Sequence, residues 1–128
     1  MIFAEFEDDI HSDLEQVKRL DKAVKSKINL HRLDIDNCNA LYIGSTDEIY
    51  ETTLEYCTCM EFAMRKLPCK HMYNLAVQLK LIDINTNPWK TYLEDFKQYN
   101  KLMAKIKKEL TTLSLEQLKS VYDFIDSL

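Results

Sequence analysis

The chain has 128 residues, 46% of them hydrophobic and 30% charged, with a formal net charge of −4. That length and apolar content fit one domain with a sizeable core, 1–128. The total charge argues against indiscriminate nucleic-acid binding, which rests on phosphate neutralisation. A single glycine, Gly44, excludes phosphate-cradling loops and dinucleotide folds, because both need several glycines for close backbone approach. No uninterrupted apolar run approaches a membrane span. The opening Met1-Ile2-Phe3-Ala4-Glu5 turns acidic without the basic and apolar regions of a signal peptide.

From about residue 8 to 30, Ile10, Leu14, Val17, Val24 and Ile28 form one helical stripe, with Glu15–Arg19 and Asp21–Lys25 as favourable surface pairs. Lys18, Lys22 and Lys25 gather on a flank of this helix and read as a solvated face. Residues 30–36 alternate poorly but are compatible with a third strand. Residues 40–44 and 49–54 are two β-prone runs separated by Ser45-Thr46-Asp47-Glu48, the pattern of a hairpin. Charge is blocked along the way. Residues 1–16 and 33–56 each carry six acids and no Lys or Arg, whereas 17–32 and 57–80 are basic. Cys38, between two asparagines, reads as an ordinary turn or core residue. His11 and His31 stand isolated and read as surface residues.

The second strand of the hairpin runs into Cys57-Thr58-Cys59. Nine residues later comes Cys69-Lys70-His71, directly after Pro68 and ahead of the apolar helical run Met72, Leu75, Ala76, Leu79. Three thiols and one imidazole within fifteen residues form the ligand set of a closed tetrahedral zinc site. In an extended strand, residues two apart point to the same side, so Cys57 and Cys59 can present both sulfurs to one ion. Cys69 and His71 fall at the first turn of a helix, whose positive end favours the metal-binding thiolate. A thiol-rich metal site with one spare cysteine suits a reducing, intracellular setting, cytoplasmic or, in a eukaryote, nuclear.

A β-hairpin, a C-x-C pair, a spacer and C-x-H at the head of a helix resemble the SWIM zinc finger over about residues 39–80. The resemblance places Cys57, Cys59, Cys69 and His71 on the four ligand positions of one structural Zn2+. It also matches Phe62 to an aromatic often found after the first pair, and Pro68 with Lys70 to the family's frequent Pro-Cys-Lys-His. SWIM modules occur in chromatin-remodelling ATPases, transposon-derived proteins, recombination mediators and ubiquitin ligases, where they bind nucleic acid or protein.

Past the finger, Asn87-Pro88 reads as a helix start, with Asn as cap and Pro at the first position. Tyr92, Phe96, Tyr99, Met103, Ile106 and Leu110 then recur four and three apart. Ser114 with Gln117 makes a capping box, and Leu115, Leu118, Tyr122 and Ile125 continue the spacing. A tight linker at 111–113 predicts that residues 88–128 fold back as a helical hairpin with these side chains as core. Lys90, Lys97, Lys101, Lys105 and Lys108 lie opposite the seam. The whole is predicted as α+β: an N-terminal helix (8–30), a small antiparallel sheet with a zinc knuckle (39–80), and the helical hairpin (88–128).

Four protein ligands leave the metal no open position for water or substrate, and no positioned base accompanies it, so the expectation is a non-catalytic module without a small-molecule substrate. The zinc-deaminase signature is absent too, since the chain has Pro68-Cys69-Lys70-His71 and no H-x-E. Two binding readings remain. In one, the finger and its basic neighbours Arg65, Lys66 and Lys70 contact DNA or RNA, or serve a nucleic-acid-handling protein. In the other, the chain is a small acidic adaptor or inhibitor, virus- or mobile-element-encoded for example, that acts by protein–protein contact. Neither reading involves a membrane, and a homodimer is compatible with both.

Overall fold

The computed structural model describes residues 2–3, 5–25, 28–112 and 115–127. A 3-10 turn (Asp8–Ser12) leads into α1 (Leu14–Lys25). Three strands follow, β1 (Asn29–Asp34), β2 (Asn39–Ile43) and β3 (Ile49–Thr53), and then α2 (Met60–Arg65), α3 (Lys70–Gln78), α4 (Trp89–Thr112) and α5 (Leu115–Asp126). The fold is α+β, with one antiparallel sheet in the order β1-β2-β3. By compactness the chain divides into two units, Met1–Phe96 and Lys97–Leu128.

In the first unit the third strand is present, and β2 lies between its neighbours. Ala40 opposes Thr52 and Tyr42 opposes Tyr50 across the β2–β3 ladder. Ala40, Tyr42 and Thr52 are buried, so one face of the sheet is closed. The β2–β3 turn is drawn shut by the Gly44 amide, which donates to the Glu48 carbonyl at 2.7 Å. A Cβ at Gly44 would meet the outer edge of the Tyr50 ring at 2.7 Å, so a side chain there would have to displace that ring.

The N-terminal helix is shorter than the 8–30 expected. A 3-10 turn occupies its first residues, and α1 ends at Lys25. Ile28 keeps the helical spacing but has left the helix, and it packs against both apolar clusters just before β1. The buried face is also turned. Gln16, Val17, Arg19, Leu20 and Ala23 face inward, while Leu14 is exposed. α1 packs on α3, and α3 in turn packs on β2 and β3. Phe3, Leu20, Met72, Tyr73, Ala76, Ile82 and Trp89 are the apolar heart of this unit.

The two C-terminal helices form where the spacing places them. Asn87–Pro88 is a cis peptide, α4 begins at Trp89, and Asn87 accepts a hydrogen bond from the Thr91 hydroxyl at 2.9 Å. Trp89 and Phe96 are buried, and Tyr92 and Leu93 pack beside the core. From Lys97 onward the seam differs from the expectation: Tyr99, Met103, Ile106, Tyr122 and Ile125 are all exposed. A four-three repeat fixes which residues share a face, not what covers that face. Ser114 of the capping box and the side chains of Leu115 and Leu118 lie outside the described residues.

Candidate metal centre

Cys57 follows β3 and is bridged back to it, pairing with Thr52. Cys59 is the N-cap of α2, Cys69 the N-cap of α3, and His71 lies in the first turn of α3. One strand end and two helix N-termini thus aim four side chains at one point, and all four are buried. Their ligand atoms lie within 4.8 Å of one another. His71 Nδ1 is 3.7 Å from Cys57 Sγ and 3.9 Å from Cys69 Sγ. Around a tetrahedral zinc, bond lengths of about 2.3 Å to sulfur and 2.0–2.1 Å to nitrogen imply ligand-to-ligand edges of roughly 3.6–3.8 Å. The cluster fits one structural Zn2+ in donor type, number and spacing. The ligand cysteines also belong to the apolar core, so the site is part of the interior and not an appendage.

Several supports were not marked in the sequence. Thr52, fully buried, brings its hydroxyl to 3.2 Å from Cys57 Sγ. Thr58, between the first two ligands, is tied to β3 at both ends: its amide donates to the Glu51 carbonyl at 3.0 Å, and its hydroxyl accepts from the Glu51 amide at 2.9 Å. The Gln16 amide of α1 donates to the Pro68 carbonyl at 3.0 Å, fixing the approach to Cys69. The rings of Tyr42 and Tyr50 each stand 5.2 Å from that of His71. Tyr42 donates to Asn74 Oδ1 at 2.7 Å, and Asn74 donates to the Ala23 carbonyl at 3.1 Å. α2 itself, inside the spacer, is an element that apolar periodicity gave no sign of.

Three sulfurs this close cannot all carry charge without a cation. Hydrogen bonds from Cys57 and Cys69 hold Cys59 far below the ordinary thiol range. The same kind of contact with Cys57 and Cys59, together with burial, pushes Cys69 far above it. For His71, burial favours the neutral ring but is outweighed by Cys57 and Cys59, which raise it to about 9. A divalent cation at the centre would compensate this clustered negative charge.

The basic residues singled out beside the finger part company. Arg65 is half-exposed and paired with Glu15 at 3.7 Å, so it links α2 to α1. Lys66 is exposed and ends α2 in the left-handed conformation, φ 56°, its amide donating to the Phe62 carbonyl. Lys70 lines a cleft of about 470 Å³ beside the ligands, together with Asn29, Ser45, Tyr50, Met60 and Glu61. Arg19, buried on α1, is bonded to Glu61 and 3.6 Å from Glu15.

His31 is exposed, as expected, but His11 is not a surface residue. It is 2% exposed, its Nδ1 lies 2.7 Å from the Tyr73 hydroxyl, and its ring stands 5.2 Å from that of Trp89. Burial holds its pKa below the ordinary value, against the opposing pull of Asp8 and Asp9. Tyr73 and Trp89, two of its partners, lie 62 or more positions along the chain, beyond any local pattern.

Among the described residues, no helix is long and apolar enough to cross a membrane. No curated protein and no solved structure gives a significant match to the chain. A SWIM zinc finger is generally a binding module and not a catalytic domain. Residues 50–79 match the SWIM zinc finger family, and Cys57, Cys59, Cys69 and His71, drawn together here, are the C-x-C and C-x-H pairs of that motif.

Proposed function

We propose that this chain is a non-catalytic zinc-finger binding module acting in nucleic-acid transactions, by contact with DNA or RNA or with a protein that handles nucleic acid. Cys57, Cys59, Cys69 and His71 hold one structural zinc ion. The observation that carries this reading is the buried Cys3His cluster, which offers four protein donors and leaves the ion no position for substrate or water. The metal therefore acts by fixing a surface. Lys70, which lines the cleft beside the ligands, and Lys66, exposed at the end of α2, are the cations offered to a phosphate backbone, while Arg65 first serves the α1–α2 contact.

Metal and target are tested separately. Elemental analysis of the purified chain is expected to give one zinc per molecule, and Cys59→Ser is expected to lose the ion together with local structure. A zinc-free native chain would overturn the metal assignment. Binding to DNA or RNA is expected to weaken steeply with salt, each displaced duplex counterion contributing a slope of about −0.9 in log K against log salt. Lys66→Gln with Lys70→Gln should flatten that slope while zinc stays bound.

The adaptor reading has its own support, since Glu5, Glu7, Asp9, Asp13 and Glu15 are exposed on the N-terminal segment and α1. If no salt-sensitive binding to single- or double-stranded DNA or RNA is found at low ionic strength, the adaptor replaces direct contact. Neutralising Asp8, Asp9 and Asp13 should then slow association with a basic protein partner.

A further inference from the structure

The positive charge of the chain is concentrated in one stretch of α4. Residues 97–108 hold Lys97, Lys101, Lys105, Lys107 and Lys108 and no acid, a run of +5 in a chain of net −4, which leaves −9 on the rest. All five lysines are exposed. At 3.6 residues per turn, Lys97, Lys101, Lys105 and Lys108 fall within an arc of about 80°. They make one straight row opposite the Tyr99–Met103–Ile106–Leu110 seam, with Lys107 on its flank.

Solubility alone does not call for this pattern, since a solvated face is served by both signs interspersed. Outside this stretch the helices carry bases paired with acids four residues away: Glu15 with Arg19, Asp21 with Lys25, and Lys90 with Glu94. The row does the reverse. Lys97 and Lys101, then Lys101 and Lys105, are like charges four apart, and Lys105 and Lys108 are three apart, spacings at which they repel and weaken the helix. None of the five takes part in a salt bridge among the described residues. Nor does the helix dipole account for them. It favours cations in the last turn, and that turn of α4 has none. A single-sign row kept against its own repulsion is complementary to a regular row of negative charge.

We infer that the Lys97–Lys101–Lys105–Lys108 row of α4 is a docking surface for the phosphate backbone of a nucleic acid. The row spans about 16 Å, and one strand of a duplex presents roughly five phosphates over that length. A helix resting on an anionic bilayer sinks its apolar face, which would turn this row away from the headgroups. The inference rests on the nucleic-acid reading proposed above and adds to it a contact surface in the second unit, separate from Lys66 and Lys70 in the first.

The test is fluorescence anisotropy of the zinc-loaded full chain with labelled DNA and RNA, each as duplex and as single strand, over a range of salt. Lys97→Gln, Lys101→Gln, Lys105→Gln and Lys108→Gln together should lower the slope of log K against log salt. The expected fall is roughly 3.6 on duplex DNA or 2.8 on a single strand, from about 0.9 and 0.7 per lost contact. Lys97→Arg, Lys101→Arg, Lys105→Arg and Lys108→Arg keep the charge and should keep the slope, with zinc content and helicity unchanged in both variants. Lys18→Gln, Lys22→Gln, Lys25→Gln and Lys90→Gln remove the same net charge elsewhere and should shift the slope by less than about 1, the value of one contact. Binding whose slope ignores the row, or falls as far in this charge-matched control, overturns the inference and leaves the nucleic-acid reading standing. No binding to any of the four probes overturns the inference together with direct nucleic-acid contact. So does association confined to vesicles of anionic phospholipid.

Discussion

Thr52 puts a hydroxyl where a metal-bound sulfur has use for a donor. It is fully buried and 3.2 Å from Cys57 Sγ, so with Cys57 as thiolate the hydroxyl donates to sulfur and fixes its direction. Thr52→Val keeps the shape and removes that donor. We expect a loss of about 1 kcal/mol in stability and of roughly tenfold or more in zinc affinity, read by competition with a chromophoric chelator. Unchanged affinity would reduce Thr52 to packing. His11 acts on a different lever. Its ring is held neutral among Phe3, Tyr73 and Trp89, below its ordinary value of 6.5. The unfolded chain therefore takes up this proton first as pH falls. The stability from the neutral ring is full above 6.5 and is lost progressively between 6.5 and the lower folded value. Urea unfolding at about pH 7.5 and about pH 5.5, on either side of the ordinary histidine range, should show the chain weaker at the lower pH. His11→Asn should shrink the difference, and an equal pH dependence in both proteins would remove His11 as its source.

At the scale of elements, α1 and α2 are joined by a charge cluster of unequal members. Arg19 is buried, bonded to Glu61 and near Glu15, while Arg65 reaches Glu15 from a half-exposed position. Arg19→Met should therefore cost about 1.5–3 kcal/mol, the range for hydrogen bonds to charged groups. Arg65→Met should cost under about 1 kcal/mol, as exposed pairs do. Equal costs by denaturant unfolding would refute this ranking. The contrast also shows what was legible from sequence. The β2–β3 hairpin was, because a strand advertises itself by alternation and its turn by polar residues. The ligand set was, because ligand identity and spacing are local facts. α2 was not: it is six residues long, and Cys59 caps it without a side-chain hydrogen bond, so no start signal exists. The stop of α1 was misjudged because Ile28 keeps the apolar spacing after the backbone has turned toward β1. Arg65 read as a free cation because Glu15 lies fifty positions earlier in the chain.

At the scale of the molecule, the first unit is built around its metal ligands. Cys57, Cys59 and Cys69 sit in the same cluster as Leu20, Met72, Ala76 and Trp89, so the ion bonds to side chains that also pack α1, α3 and the start of α4. Structural zinc in small fingers contributes an apparent ~10–16 kcal/mol of binding free energy, as much as the whole net stability of about 5–15 kcal/mol of an ordinary domain. Stripping the ion leaves three buried sulfurs that cannot all stay charged, with Cys59 drawn toward thiolate and Cys69 away from it. We therefore expect a strong chelator to unfold the first unit as a whole. The emission of Trp89, the only tryptophan of the chain, should shift to that of a solvated indole as the metal leaves. One equivalent of Zn2+ under reducing conditions should restore it. Cys38, exposed in the β1–β2 turn and outside the cluster, supplies the control: Cys38→Ser should bind and lose zinc as the parent does, whereas Cys69→Ser should show the solvated emission from the start. A buried tryptophan signal that survives complete removal of zinc would mean that the apolar core holds this unit together without its metal.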